Sequence, residues 1–253
     1  MFRPRIIPVL LLKNNSLVKS VRFKDFKYIG DPINAVRILN DLKADELVFL
    51  DILATKEKRT VSLDFVKDVG EEANMPFAVG GGIRTINNIR EIINAGAEKV
   101  IINSYAAENP DFIKEASDEF GSSTIIVCMD VKKPFLEKPK TWICNGSKCT
   151  GFVPVEFAKL MESKGAGEIL VQSIEKDGTM KGYDLDLIEE ISKAVKIPVV
   201  ALGGAGNLYD MKECYQQAHA SAMAAGSMFV FFGANKGVLI NYPEKNELNV
   251  LFK

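Results

Sequence analysis

One histidine and four cysteines are all that 253 residues offer of the side chains used most often as metal ligands and nucleophiles. The histidine, His219, follows Gln216, Gln217 and Ala218 in a helical stretch. A surface or packing role suits it better than catalysis, so acid/base work falls to carboxylates or lysines. So few cysteines in so long a chain suit buried or incidental thiols, not a disulfide framework. Cys144 and Cys149 bracket Asn145-Gly146 and could be read as half of a metal site, but no second Cys or His pair completes it. No metal or other cofactor is expected. Net charge is also scarce: 32 basic residues against 33 acidic leave -1. No strong field therefore exists to hold a nucleic acid or an anionic membrane, and a small-molecule partner is expected. Long apolar runs are missing as well. The stretch from Ile6 to Leu12 falls far short of the roughly 18 residues a spanning helix needs, and no small-residue cleavage site follows. The expected location is the cytoplasm.

What the chain does have is the balance of one soluble domain of barrel size, 47% hydrophobic and 26% charged. It also repeats itself. DELVFLDI (Asp45 to Ile52) matches GEILVQSI (Gly167 to Ile174), and PFAVGGG (Pro76 to Gly82) matches PVVALGG (Pro198 to Gly204), both displaced by 122 residues. RIIPVLLLK (Arg5 to Lys13) matches TIIVCMDVK (Thr124 to Lys132) at 119. Two halves of about 1–120 and 121–235, with a tail over 236–253, are expected within a single domain.

Each half holds four short β-branched runs separated by amphipathic stretches such as NNIREIINAG (Asn87 to Gly96). The predicted strands are Arg5 to Leu12, Glu46 to Asp51, Phe77 to Gly80, Lys99 to Asn103, Thr124 to Asp130, Glu168 to Ser173, Pro198 to Ala201 and Ser221 to Gly226. Eight such β-α units predict an α/β fold, a (β/α)8 TIM barrel with its site at the carboxyl ends of the strands. A doubly wound open sheet is the alternative, but it does not naturally give two equal halves. The insertion after Asp130 carries an Asn-Gly pair that predicts a tight hairpin over the barrel mouth.

Gly80, Gly81 and Gly82 follow the third strand, and Gly203 and Gly204 follow the seventh, the equivalent place in the other half. Glycines there let backbone N–H groups approach an anion. Asn103-Ser104 and Gly226-Ser227, ending the next strands, could add donors. The reading is one phosphate grip per half, facing each other and suiting a ligand with phosphate at both ends. The alternative is that these glycines only make tight turns. Asp177-Gly178 is a less specific phosphate candidate, being a common turn or cap, and Arg84 can be a plain surface charge.

RII at Arg5, ELVFLDI at Glu46, VGGGIR at Val79, KVIINS at Lys99, GAGEIL at Gly165, SIEKDGTMKGYD at Ser173 and ALGGAGN at Ala201 together resemble the cyclase subunit of imidazole glycerol phosphate synthase. The likeness runs from about Arg5 to Phe229. It implies a reaction of a phosphorylated ribulosyl formimino aminoimidazole carboxamide with ammonia, giving imidazole glycerol phosphate and an aminoimidazole ribonucleotide. Two aspartates, ending the first and fifth strands, act as general acid and base in that family. Here Asp130 is present but its partner position is Leu11, which the repeat also pairs with Asp130 at 119 residues. A leucine carries no proton, and one such group is worth roughly 100 to 10,000 in rate. The likeness further implies a role near the substrate for Lys19, otherwise a solvated loop lysine. Asp51 is either functional or a loop-fixing carboxylate.

Arg5, Glu46, Lys99 and Glu168 stand at the amino ends of four strands, where two positive and two negative charges can close a ring at the barrel floor. The resemblance implies that this is an ammonia gate where a separate glutaminase docks as a one-to-one pair; a stabilising ion-pair plug is the plain alternative. The tail from Gly233 and Leu11 together resemble a paralogous branch associated with sugar amidotransferases, in which ammonia turns an acetamido group of a surface sugar into an acetamidino group. Two other functions stay open: a noncatalytic barrel that conducts ammonia to a third protein, and the sister isomerase of histidine synthesis.

Overall fold

A computed structural model describes residues 3–134, 137–233 and 235–253. Residues 135 and 136 of the insertion after Asp130, and residue 234 of the tail, fall outside it. Eight parallel strands form the barrel: β1 (Arg5–Lys13), β2 (Leu47–Asp51), β3 (Phe77–Gly80), β4 (Lys99–Ile102), β5 (Ile125–Lys132), β6 (Glu168–Ser173), β7 (Val199–Leu202) and β8 (Ala222–Ala225). Each pairs with the next, and β8 returns to β1 with Ile7 beside Ala224, so the ring closes and its eight strands are paired on both sides. The longer helices are α1 (Pro32–Asp41), α2 (Leu63–Glu72), α3 (Ile86–Asn94), α4 (Asp111–Phe120), α5 (Pro154–Ser163), α6 (Leu185–Ala194), α7 (Leu208–Ala218) and α8 (Lys245–Leu251), with short ones at Ser104–Glu108 and Ser227–Val230.

Strand residues alternate between two cores because successive side chains point to opposite faces. Ile6, Leu10, Phe49, Val79, Val127 and Val171 face outward and pack under the helices. Ile7, Val9, Val48, Ile101, Ile126, Cys128, Leu170 and Val200 face inward and fill the lumen. With both faces covered, the strands read as continuous apolar runs rather than alternating ones. Helix starts are written locally: Asp31 accepts from Asn34 N before α1, with Pro32 next, and such a cap stabilises by about 1 kcal/mol.

The predicted strands are all present, with ends shifted by at most two residues. A β-hairpin, Ser16–Val21 and Lys24–Gly30, was not anticipated; it extends β1 antiparallel, with Val18 beside Leu11. Its first turn places Asn14 and Asn15 at positive φ, and its second does the same with Arg22 and Phe23, residues that rarely adopt it. The expected hairpin after β5 is present as Lys140–Ile143 and Lys148–Cys149. Its turn is longer than an Asn-Gly pair alone requires, because Cys144, Asn145 and Gly146 all take positive φ. His219 ends α7 in the left-handed conformation. The tail runs to the floor, where the Tyr242 hydroxyl donates to Ile6 O and accepts from Asp45 N, and α8 buries Leu248.

Candidate functional site

Inward parity carries eight residues to the upper rim of the lumen, one on or just past each strand: Leu11, Leu50, Gly80, Asn103, Asp130, Gln172, Leu202 and Gly226. All eight line one cavity of about 140 Å³ at the carboxyl ends. Its polar groups are not spread evenly. Asn103 just past β4, Asp130 on β5 and Gln172 on β6 follow one another, whereas Leu202, Leu11 and Leu50 supply an apolar wall on β7, β1 and β2. The first and fifth strands stand opposite in a closed ring of eight, so Leu11 faces Asp130 across the cavity.

Asp130 is buried, and burial pushes its pKa up to about 7, with the Asn103 side chain opposing and the charge of Asp177 adding to the rise. Cys128 Sγ lies 3.9 Å from Asp130 Oδ1, and burial holds that thiol protonated. Lys19 reaches in from the first hairpin. Its ammonium donates to Val9 O at 2.8 Å, and burial lowers its pKa to about 8 against the pull of Asp177. A Cβ at Gly226 would stand 1.8 Å from Lys19 Nζ, so the glycine just past β8 is what lets this cation into the rim.

The glycine turns after β3 and β7 have the close approaches that demand glycine. A Cβ on Gly82 would lie 1.8 Å from Arg59 O, and one on Gly204 2.1 Å from Gly182 O, with φ at +67° and +112°. Gly81 and Gly203 also line the cavity at positive φ. Helices α3 and α7 that follow are closed by their own capping boxes, Thr85 with Asn88 and Asn207 with Asp210. The one-turn helices after β4 and β8, beginning at Ser104 and Ser227, have no side-chain cap. Their first N–H groups lack intrahelical acceptors. The two halves thus present the same pairing, a glycine turn beside an uncapped helix start. Ser104 Oγ accepts from Cys144 N at 3.1 Å, which ties the second hairpin to the first of these.

Asp177 and Gly178 line the cavity too, but their bonds go to the first hairpin. Asp177 Oδ2 accepts from Ser20 Oγ at 2.8 Å and Phe23 N at 3.2 Å, and its carbonyl accepts from Arg22 N. This fastening holds the unfavourable Arg22-Phe23 turn. Asp51 accepts from Leu53 N and Ala54 N and pairs with Arg59 at 2.5 Å, the loop-fixing role. Arg84 pairs with Glu108. The two hairpins meet over the mouth: a Cβ at Gly146 would lie 3.3 Å from the Phe23 ring, and Asn145 Nδ2 donates to Ile52 O.

At the other end the four floor charges close a ring. Arg5 pairs with Glu46 and Glu168, and Lys99 Nζ lies 3.0 Å from Glu46 and 3.6 Å from Glu168. Burial of the Arg5 guanidinium is outweighed by the two carboxylates, which raise its pKa. Between ring and rim the lumen is apolar. Among the described residues no group of three or more His, Cys, Asp and Glu could hold a metal ion, and no helix is long and apolar enough to cross a membrane. All four cysteines are free thiols.

A sequence profile of the histidine biosynthesis protein family matches residues 5–235. A Leptospira borgpetersenii protein provisionally named imidazole glycerol phosphate synthase subunit HisF is 44% identical over 253 residues, covering both chains in full. The chain belongs to this HisF-like family. A Pseudomonas aeruginosa relative, provisionally named imidazole glycerol phosphate synthase subunit hisF2, is 42% identical over 99% of this chain and 100% of its own. The imidazole glycerol phosphate synthase subunit HisF of a Hydrogenobaculum species is 44% identical over 99% of each. Sequence reasoning passed over Gln172, Cys128 and the hairpin residues Phe23 and Asn145 that line or cover the cavity of this HisF-like barrel. The alternation of inward side chains, counted back from Asp130 and forward from Glu168, was the signal for the first two.

Proposed function

We propose that this HisF-like chain is the ammonia-using subunit of a two-protein synthase, with a glutaminase docked against the floor and a phosphorylated ligand at the mouth. The ring of Arg5, Glu46, Lys99 and Glu168 forms a charged layer between a docked partner and the lumen. Above it, the apolar walls carry neutral ammonia and reject ammonium, because an unpaired charge pays a large desolvation cost there. Ammonia then emerges beside Asp130, whose pKa near 7 lets it hold a proton or accept one at neutral pH. The glycine turns with Asn103-Ser104 on one side and Gly226-Ser227 on the other grip the phosphate ends of the ligand, and Lys19 adds a cation to the second grip.

The reaction class is that of the relatives' name, the cyclase type that forms imidazole glycerol phosphate. The observation that supports the finer reading is Leu11 facing Asp130, which leaves one acid/base group where the family's reaction employs two. We therefore place the chain in the paralogous branch, serving with a sugar amidotransferase in acetamidino-sugar synthesis. The test uses a deletion strain and the purified complex. Loss of the acetamidino sugar without histidine auxotrophy, together with weak turnover of the ribulosyl formimino precursor by ammonium, is expected. Full precursor turnover and auxotrophy would assign the chain to histidine synthesis instead. Leu11→Asp should raise precursor turnover by tenfold or more.

A further inference from the structure

Gln172 is 5% exposed and lines the cavity, yet its Nε2 has no hydrogen-bond partner. A buried amide left unpaired is costly, and native structures keep few of them without a reason. Its orientation is fixed by strand parity: Glu168 enters the floor ring and Leu170 the lumen, so Gln172 points inward at the rim. It stands in register with Asp130 on β5 and with Leu202 on β7. A Cβ at Gly203 would lie 2.9 Å from Nε2, so the amide also borders the second glycine turn. Asn103, on the other side of Asp130, is already engaged, its Oδ1 accepting from Ser104 Oγ. The repeat pairs Gln172 with Leu50, at 122 residues, just as it pairs Asp130 with Leu11. The unsatisfied donor therefore lies in the polar half of the rim and has no counterpart opposite.

We propose that Gln172 is a ligand-contacting specificity residue, whose amide N–H groups donate to a carbonyl or hydroxyl oxygen in the middle of the ligand, beside Asp130. This rests on the reading that a doubly phosphorylated ligand spans the two glycine turns. The occupant is thereby one with an oxygen on the edge that faces β5 and β6, and an apolar or flat face toward Leu11, Leu50 and Leu202.

Calorimetric titration of the whole chain with two probes tests it: the ribulosyl formimino precursor, and an alkanediol bisphosphate of matching length that carries no oxygen between its phosphates. Gln172→Met, of nearly equal size, should weaken the precursor about tenfold and leave the alkane compound within about twofold. The same variant should melt no lower than the parent, since the ligand-free site loses an unpaired amide. Equal weakening of both probes, no weakening of either, or a lower melting temperature overturns the assignment of Gln172 and leaves the two grips standing. If the parent chain binds neither probe, the two-grip reading fails and this proposal falls with it.

Discussion

Asp130→Asn should stabilise the protein in a pH-dependent way. In the folded chain this carboxyl titrates near pH 7, whereas 3.8 is its ordinary value. Between those limits the folded state binds more protons than the unfolded one, so the stability conferred by burying the neutral acid is complete below about pH 4 and is lost as pH rises through 7. At about 1.4 kcal/mol per pH unit the loss reaches about 4 kcal/mol by pH 8. Asparagine has nearly the same shape and does not titrate. The variant should thus match the parent at pH 4 and exceed it by about 4 kcal/mol at pH 8, roughly 10 °C in melting temperature for a chain of this size. Lys19 works in the opposite direction. Its pKa is lowered to about 8, so the folded state binds fewer protons there, but it is present in both proteins and cancels from the difference. Melting curves of parent and variant at pH 4, 6 and 8 and constant ionic strength give the result. A difference that does not change with pH would refute the reasoning, since it would mean that Asp130 is not held neutral by its surroundings.

Asp177→Ala removes the acceptor for Ser20 Oγ and Phe23 N, and the strained Arg22-Phe23 turn should open more often. Trypsin cleavage after Arg22 and Lys24, followed by mass spectrometry, should accelerate roughly 10- to 100-fold, as loss of two bonds to a charged group implies. Arg5→Met leaves Glu46 and Glu168, both buried, with Lys99 as their remaining partner in the ring. Urea denaturation at pH 7 should show a loss of about 2–4 kcal/mol, toward the lower end of broken buried pairs because Arg5 is one-third exposed.

The barrel could be read from the sequence because its strands are buried on both faces and leave uninterrupted apolar runs, and because the repeat doubled every sign. The floor ring was legible for the same reason: a charge at the start of an apolar strand has few places to go. The hairpin of residues 16–30 was not, since Lys24, Asp25 and Lys27 break the apolar pattern and Arg22-Phe23 carries no turn signature; its geometry is imposed from outside by Asp177. Asn14-Asn15 was the one local clue. Asp177 itself reads as a phosphate-site residue in sequence, while its bonds in the fold run to a loop more than 150 residues away. Gln172 was hidden because a glutamine within an apolar strand looks like an interruption until the inward face is counted from both halves.

The turns that carry Phe23 and Gly146 lie close together above the cavity, and this bears on how a ligand enters. A ligand of the length proposed to span both glycine turns passes between or beside these two turns on its way in. Stiffening either turn should therefore slow association of such a ligand more than it changes the affinity of the ligand once seated.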